Sequence, residues 1–146
     1  MGDPRFRAPT LADMSTAREL LSAAGLPVED VTIERLALLA EDDGKVAGLI
    51  GLEQFDTIGL LRSLVVSPEH RRGGFGKALV ASLETRAIAD GIRELWLLTI
   101  DADAWFARLG YLRQERGSAP PAIQQTEEFS SLCPGDAVLM RKVLLD

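Results

Sequence analysis

The chain has 146 residues, a net charge of −6 and 47% hydrophobic residues, which suits one compact domain with an ordinary core and sets disorder aside. The acidic balance opposes nucleic-acid binding through phosphate neutralisation, and no apolar run approaches the ~20 residues of a membrane span. One cysteine, Cys133, and one histidine, His70, can form neither an internal disulfide nor a well-supplied zinc site, so metal-free chemistry in a reducing compartment is expected.

The opening residues MGDPRFRAPT put charges and prolines where a signal peptide needs an apolar stretch. A soluble, cytoplasmic protein is the expectation. Residues 4–8 read as a short strand. Asp13 and Ser15 offer capping oxygens to a helix that Leu20, Leu21 and Ala24 suit, ending at Gly25-Leu26-Pro27. Residues 36–40 and 46–53 flank Glu41-Asp42-Asp43-Gly44, an acidic turn with glycine, and read as a β-hairpin. Residues 60–66 form a third strand, apolar apart from Arg62 and Ser63, that stops at Ser67-Pro68.

Residues 74–90 are the most legible helix. Leu79, Leu83 and Ala87 share one face, and Gly91 stands where a left-handed cap belongs. Residues 94–99, ELWLLT, read as a buried strand. Strand, glycine turn, helix and strand make a βαβ unit, whose two strands should be parallel neighbours. A short helix over 102–109 ends at Gly110, and a further strand begins at Tyr111. Residues 117–135 form a long connection with one helical turn, and 137–143 a last strand. The fold class is therefore mixed α/β, hairpins first and a parallel unit later, in a single domain over 1–146.

Residues 64–79, LVVSPEHRRGGFGKAL, carry the central inference. A buried strand feeds a glycine-rich turn, and the turn feeds a helix. The first turn of a helix has backbone N–H groups without intrahelical acceptors and partial positive charge. Glycine lets a ligand oxygen approach them without a Cβ in the way. The result is an anion site suited to phosphate or pyrophosphate, rimmed by Arg71, Arg72 and Lys77. A P-loop would need another glycine at position 71 and a hydroxyl at Ala78 for magnesium, and the dinucleotide fingerprint has a different spacing.

The pattern Arg71-x-x-Gly74-x-Gly76, entered from an apolar strand, resembles the acetyl-CoA-binding motif of the GNAT acetyltransferase superfamily. Residues 60–111 match that family in order: strand, motif, helix, strand, then WFARLGY. The resemblance implies a single GNAT-like domain with antiparallel N-terminal strands, and splayed strands that hold acyl-CoA. It implies that the turn Arg71, Arg72, Gly73, Gly74, Phe75, Gly76 and Lys77 holds the CoA pyrophosphate. Leu64, Val65 and Val66 would pair with the pantetheine arm, and a backbone N–H near Val65 or Val66 would face the thioester oxygen. The segment holding Phe106 would lie beside the CoA tail. The family commonly places a tyrosine there to protonate the departing thiolate, and Phe106 has no proton to give. A free thiol has a pKa near ~8.5 and a general acid contributes about 10²- to 10⁴-fold, so its loss slows acetyl transfer without forbidding it.

The acceptor side is read from fewer residues. Glu53 is the carboxylate placed to take the amine proton, or else a solvated charge at a strand end. Arg62, with a fork that matches a carboxylate, either grips an amino-acid-like acceptor or forms an internal salt bridge to Glu53 or another carboxylate. Ser63 and Thr99 are the accompanying acceptor-binding candidates. The strand GLLRSLVV resembles that of GNAT enzymes acetylating amino acids, including glutamate. TEEFSSLCP adds a resemblance to small GNAT proteins of arsenic-resistance operons, which implies detoxification of a glutamate-like analogue. The expected partners are a small amine acceptor and a second copy of the chain. A non-catalytic acyl-CoA sensor and a peptide acetylase are the competing readings. Cys133 reads as a small packing residue before Pro134, His70 as a solvated loop residue, and Trp96 and Trp105 as packing. Glu127 and Glu128 would solvate a helical turn.

Overall fold

The computed structural model describes residues 5–26, 28–71, 73–127, 129 and 137–145. Arg72, Glu128, Cys133 and Pro134, singled out above, lie outside that set. The strands are β1 (Arg5–Arg7), β2 (Leu36–Asp42), β3 (Lys45–Phe55), β4 (Ile58–Val66), β5 (Glu94–Thr99), β6 (Leu112–Gln114) and β7 (Val138–Val143). The α-helices are α1 (Met14–Ala23), α2 (Phe75–Ala89), α3 (Asp103–Arg108) and α4 (Pro121–Gln124). Among the described residues these seven strands pair in the order β1-β2-β3-β4-β5-β7-β6. Only β4 and β5 run parallel, as the βαβ reading requires. The chain divides into two compact units, Met1–Leu52 with Ser63–Arg86, and Glu53–Arg62 with Ala87–Asp146.

In the first unit, Met14, Ala17 and Leu21 recur three and four residues apart, so α1 buries one stripe. That stripe packs with Leu36, Leu39, Leu49 and Val65. Fully burying such a side chain stabilises by about 1.5–3 kcal/mol. Ala24 does not belong to the stripe and is exposed. Gly25 closes the helix at φ 74°, with Leu26 N–H donating to Leu21 O. Asp13 does not cap α1. Its carboxylate turns back to accept the Thr10 N–H at 2.7 Å and a two-pronged bond from Arg7 at 2.8 and 2.9 Å. A planar guanidinium offers a carboxylate a better match than one further amide does. Ser15 lies inside the helix.

The hairpin turn is tighter than the four-residue segment Glu41-Asp42-Asp43-Gly44 suggests. Glu41 and Asp42 belong to β2, opposite Val46 and Lys45. Only Asp43 and Gly44 turn, both left-handed at φ 53° and 81°, as a two-residue hairpin loop demands. Gly48 of β3 faces the β4 backbone: a Cβ there would stand 2.7 Å from Val65 O.

In the second unit, Leu60, Trp96, Ala119, Ile123 and Leu139 form the core, bordered by Phe55, Ile58, Leu98 and Phe129. β5 is paired along its whole length with β7, from Glu94↔Val143 to Thr99↔Val138. Its parallel ladder to β4 covers Ile58↔Glu94, Gly59↔Leu95 and Leu60↔Trp96, although both strands run further. Gly91 and Gly110 are left-handed at φ 86° and 99°, ending α2 and α3 where the sequence places stops. No helix among the described residues is long and apolar enough to cross a membrane.

Candidate functional site

The glycine turn belongs to the first unit. β4 leaves the core through Leu64, Val65 and Val66. Val65 is buried, while Leu64 and Val66 are half-buried, the alternation expected of a strand with one covered face. Just before them Ser63 sits inside β4 at φ 58°. A left-handed serine costs of order 1–3 kcal/mol and persists only where its surroundings enforce it. Leu60, Leu61, Arg62 and Ser63 are all buried, and alternation resumes only after Ser63.

After a 3-10 turn over Pro68–His70, Arg71 and Lys77 are exposed, as are Gly73 and Gly74. Gly74 is left-handed at φ 77°, with nothing within 4 Å of where a Cβ would stand. The Ala78 N–H donates to Gly74 O at 3.0 Å, so α2 takes up its regular ladder there. The N–H groups of its first turn have no acceptor within the helix. The Gly73 N–H, by contrast, donates to His70 O at 3.1 Å. Arg71 Nε donates to Val66 O at 3.3 Å, which lays its side chain along the end of β4. Phe75 is fully buried and can offer a ligand only its backbone. An open glycine, exposed cations and unspent helix N–H groups are what a pyrophosphate needs.

His70 is not a solvated loop residue. It is 7% exposed, with Nδ1 2.6 Å from Ser67 Oγ and Nε2 3.0 Å from Asp42 Oδ2. The partner carboxylate lies 28 residues earlier in the chain, at the end of β2, so proximity in sequence gave no sign of it.

In the second unit, Arg62 and Glu53 are brought together. Arg62 is 3% exposed and its Nη1 donates to Glu53 Oε2 at 2.8 Å. Both residues make further interactions. Glu53 is therefore no solvated strand-end charge, and of the alternatives open for Arg62 the internal salt bridge is present. Thr99 Oγ1 accepts the Ala102 N–H at 3.0 Å, near the start of α3. Phe106 is buried edge-on between Trp105 and Tyr111, with ring centroids 4.9 and 5.6 Å away. Trp96 is buried and donates to Glu94 Oε1, while Trp105 is half-buried. Among the described residues, no three His, Cys, Asp or Glu side chains cluster as metal ligands would.

Residues 14–111 match the sequence profile of the acetyltransferase (GNAT) family. An amino-acid acetyltransferase of Pseudomonas fluorescens (strain Pf0-1) is 34% identical over 95 residues, covering 64% of this chain and 20% of its own length. The chain thus spans about a fifth of that curated relative. The N-acetylglutamate synthase of Neisseria gonorrhoeae, solved with coenzyme A and N-acetyl-glutamate, superposes with a TM-score of 0.85 at 21% identity, over 100% of this chain and 36% of that one. The PaiA N-acetyltransferase of Thermoplasma acidophilum, solved with coenzyme A, gives 0.71 at 18% identity, over 97% and 99%. At these identities the structural likeness establishes the shared fold.

Proposed function

Because the chain belongs to the acetyltransferase (GNAT) family, we propose that it is an N-acetyltransferase, a single domain over 1–146 that moves acetyl from acetyl-CoA to the primary amine of a small acceptor. The observation that carries this reading is the open turn before α2. There left-handed Gly74, the first N–H groups of a long helix and the exposed Arg71 and Lys77 follow directly on β4. In this reading Gly74, Phe75, Gly76 and Lys77 hold the pyrophosphate through their amides, with charge added by Arg71 and Arg72. Gly73 shapes the turn, since its N–H is already committed to His70 O. Leu64, Val65 and Val66 present strand backbone to the pantetheine amides, and a Val65 or Val66 N–H stabilises the thioester oxygen as it gains charge.

The amine nitrogen attacks the thioester carbon, the C–S bond breaks, and CoA leaves as thiolate. The amine loses one proton and the thiolate gains one. Glu53 takes the amine proton, directly or through water. Phe106 donates none, so water protonates the thiolate. Arg62 binds the carboxylate of an amino-acid acceptor. A guanidinium carries five N–H donors, so one Arg62 side chain can serve more than one acceptor. Ser63 and Thr99 complete the acceptor contacts. Amino-acid acetyltransferases among the relatives support that acceptor class. A glutamate-like analogue, including arsenic- or phosphorus-containing ones, is the narrower proposal, as is assembly into a homodimer. The buried Phe106 in the usual tyrosine position favours one second reading, an acyl-CoA sensor without turnover.

The test is release of free CoA thiol from acetyl-CoA with glutamate, glutamate analogues, other amino acids, polyamines and a basic peptide. Release with amino acids, with an acceptor KM that rises at least ~10-fold in Arg62→Ala, is expected. Release with only non-carboxylate amines removes Arg62 from acceptor recognition. CoA binding without release on any acceptor favours the sensor.

A further inference from the structure

We infer that His70 is a positioning residue for the CoA pyrophosphate, fixing the turn before α2 to the end of β2 through Asp42. The inference rests on the acyl-CoA reading above. His70 is a buried titratable group with no part in the acetyl-transfer chemistry, yet both of its ring nitrogens are engaged. An ionised carboxylate only accepts, so the bond to Asp42 Oδ2 assigns the proton to Nε2. In the neutral ring Nδ1 then accepts the Ser67 hydroxyl proton at 2.6 Å. The ring also meets Phe75, the first residue of α2, edge-on with centroids 5.0 Å apart.

The backbone of the same residue closes the turn on both sides. The His70 N–H donates to Ser67 O at 2.9 Å, and His70 O accepts the Gly73 N–H at 3.1 Å. One side chain thus ties three places together: the tip of the β2–β3 hairpin, the exit of β4 at Ser67, and the start of α2. Arg71, Gly73 and Gly74 are strung between the last two. A turn whose free amides must converge on one anion gains from having its ends fixed before the anion arrives, because ordering is then not charged to binding. Ser67 is itself buried, so the Ser67–His70–Asp42 array is a strut and its hydroxyl is not displayed as a nucleophile.

The experiment compares two acyl donors, acetyl-CoA and acetyl-pantetheine, which lacks the pyrophosphate. Wild type, His70→Ala, His70→Gln and Asp42→Asn are assayed with both donors, and the dissociation constant of CoA is measured by calorimetry. In His70→Ala the CoA dissociation constant and the acetyl-CoA KM should rise about 10- to 100-fold, the equivalent of one or two lost hydrogen bonds. kcat, and kcat/KM for acetyl-pantetheine, should stay within about twofold. His70→Gln, which can still donate to Asp42, should recover part of the loss. Asp42→Asn keeps the shape and one acceptor oxygen but loses the charge, so it should show a smaller rise in the same constants, and it is the variant read if His70→Ala does not fold. An unchanged CoA dissociation constant, or an equal loss with both donors, overturns the inference. A wild type that binds no CoA defeats the acyl-CoA reading itself.

Discussion

Removing one partner of the Arg62–Glu53 pair and removing both should have different consequences. The Arg62 side chain is 1% exposed and that of Glu53 11%, so a charge that loses this partner has little water to take its place. Arg62→Met should cost about 3–5 kcal/mol, whereas Arg62→Met with Glu53→Leu should recover most of it. Urea unfolding of the double-mutant cycle reads this directly. Activity should not recover in the double variant, because acceptor recognition and proton removal are then both missing. The sequence made each residue visible as a polar interruption near an apolar strand. It left the choice between ligand and salt bridge open, because pairing across β3 and β4 depends on register. Ser63 illustrates a different limit: nothing in the letters LLRSLVV betrays a left-handed serine, since the tertiary setting enforces it.

At the scale of elements, the glycine-marked stops at Gly25, Gly91 and Gly110 were legible because left-handed backbone is a local demand. So was the parallel pairing of β4 with β5, which follows from the strand–helix–strand order. Gly48 was not. Its role lies in the backbone of another strand, 2.7 Å from where its Cβ would be, with Leu79 Cδ1 at 3.1 Å and Val66 Cα at 3.3 Å. Leu79 can swing aside, but the β4 backbone cannot do so cheaply. Gly48→Ala should therefore destabilise the protein by about 1–3 kcal/mol and displace Val65 and Val66. Thermal melts would show the first effect, and a weaker CoA affinity the second. The His70 strut was hidden for a related reason: Asp42, expected in the turn, became the last residue of β2, and that shift put its carboxylate against the imidazole ring.

For the whole molecule, two ion pairs predict how stability varies with acidity. Arg7, hydrogen-bonded to Asp13, holds its carboxyl well below the usual carboxylate range. The hydrogen bond from Arg141, helped by the Trp96 N–H, depresses Glu94 against the opposing effect of burial. A carboxyl whose folded pKa lies below its unfolded value stabilises the fold above about pH 4. That contribution is lost as pH falls through the depressed folded value. The protein should thus lose stability on acidification below about pH 4. Arg7→Gln and Arg141→Gln should each flatten that acid limb while lowering stability at pH 7, which denaturant titrations at several pH values would check. Each substitution acts in a different unit, so their effects should be close to additive.

The chain passes between its two units at three places: Leu52 to Glu53, Arg62 to Ser63, and Arg86 to Ala87. These fall within β3, β4 and α2, and none of them in a linker. In genetic terms, neither unit corresponds to an unbroken stretch of codons. A single recombination breakpoint cannot transplant either unit into another gene. A break outside the outermost crossings leaves one of them whole, but only with part of the other attached. A cut after Arg86 should accordingly leave the fragment 87–146, which lacks the Glu53–Arg62 part of its own unit, unfolded when expressed alone.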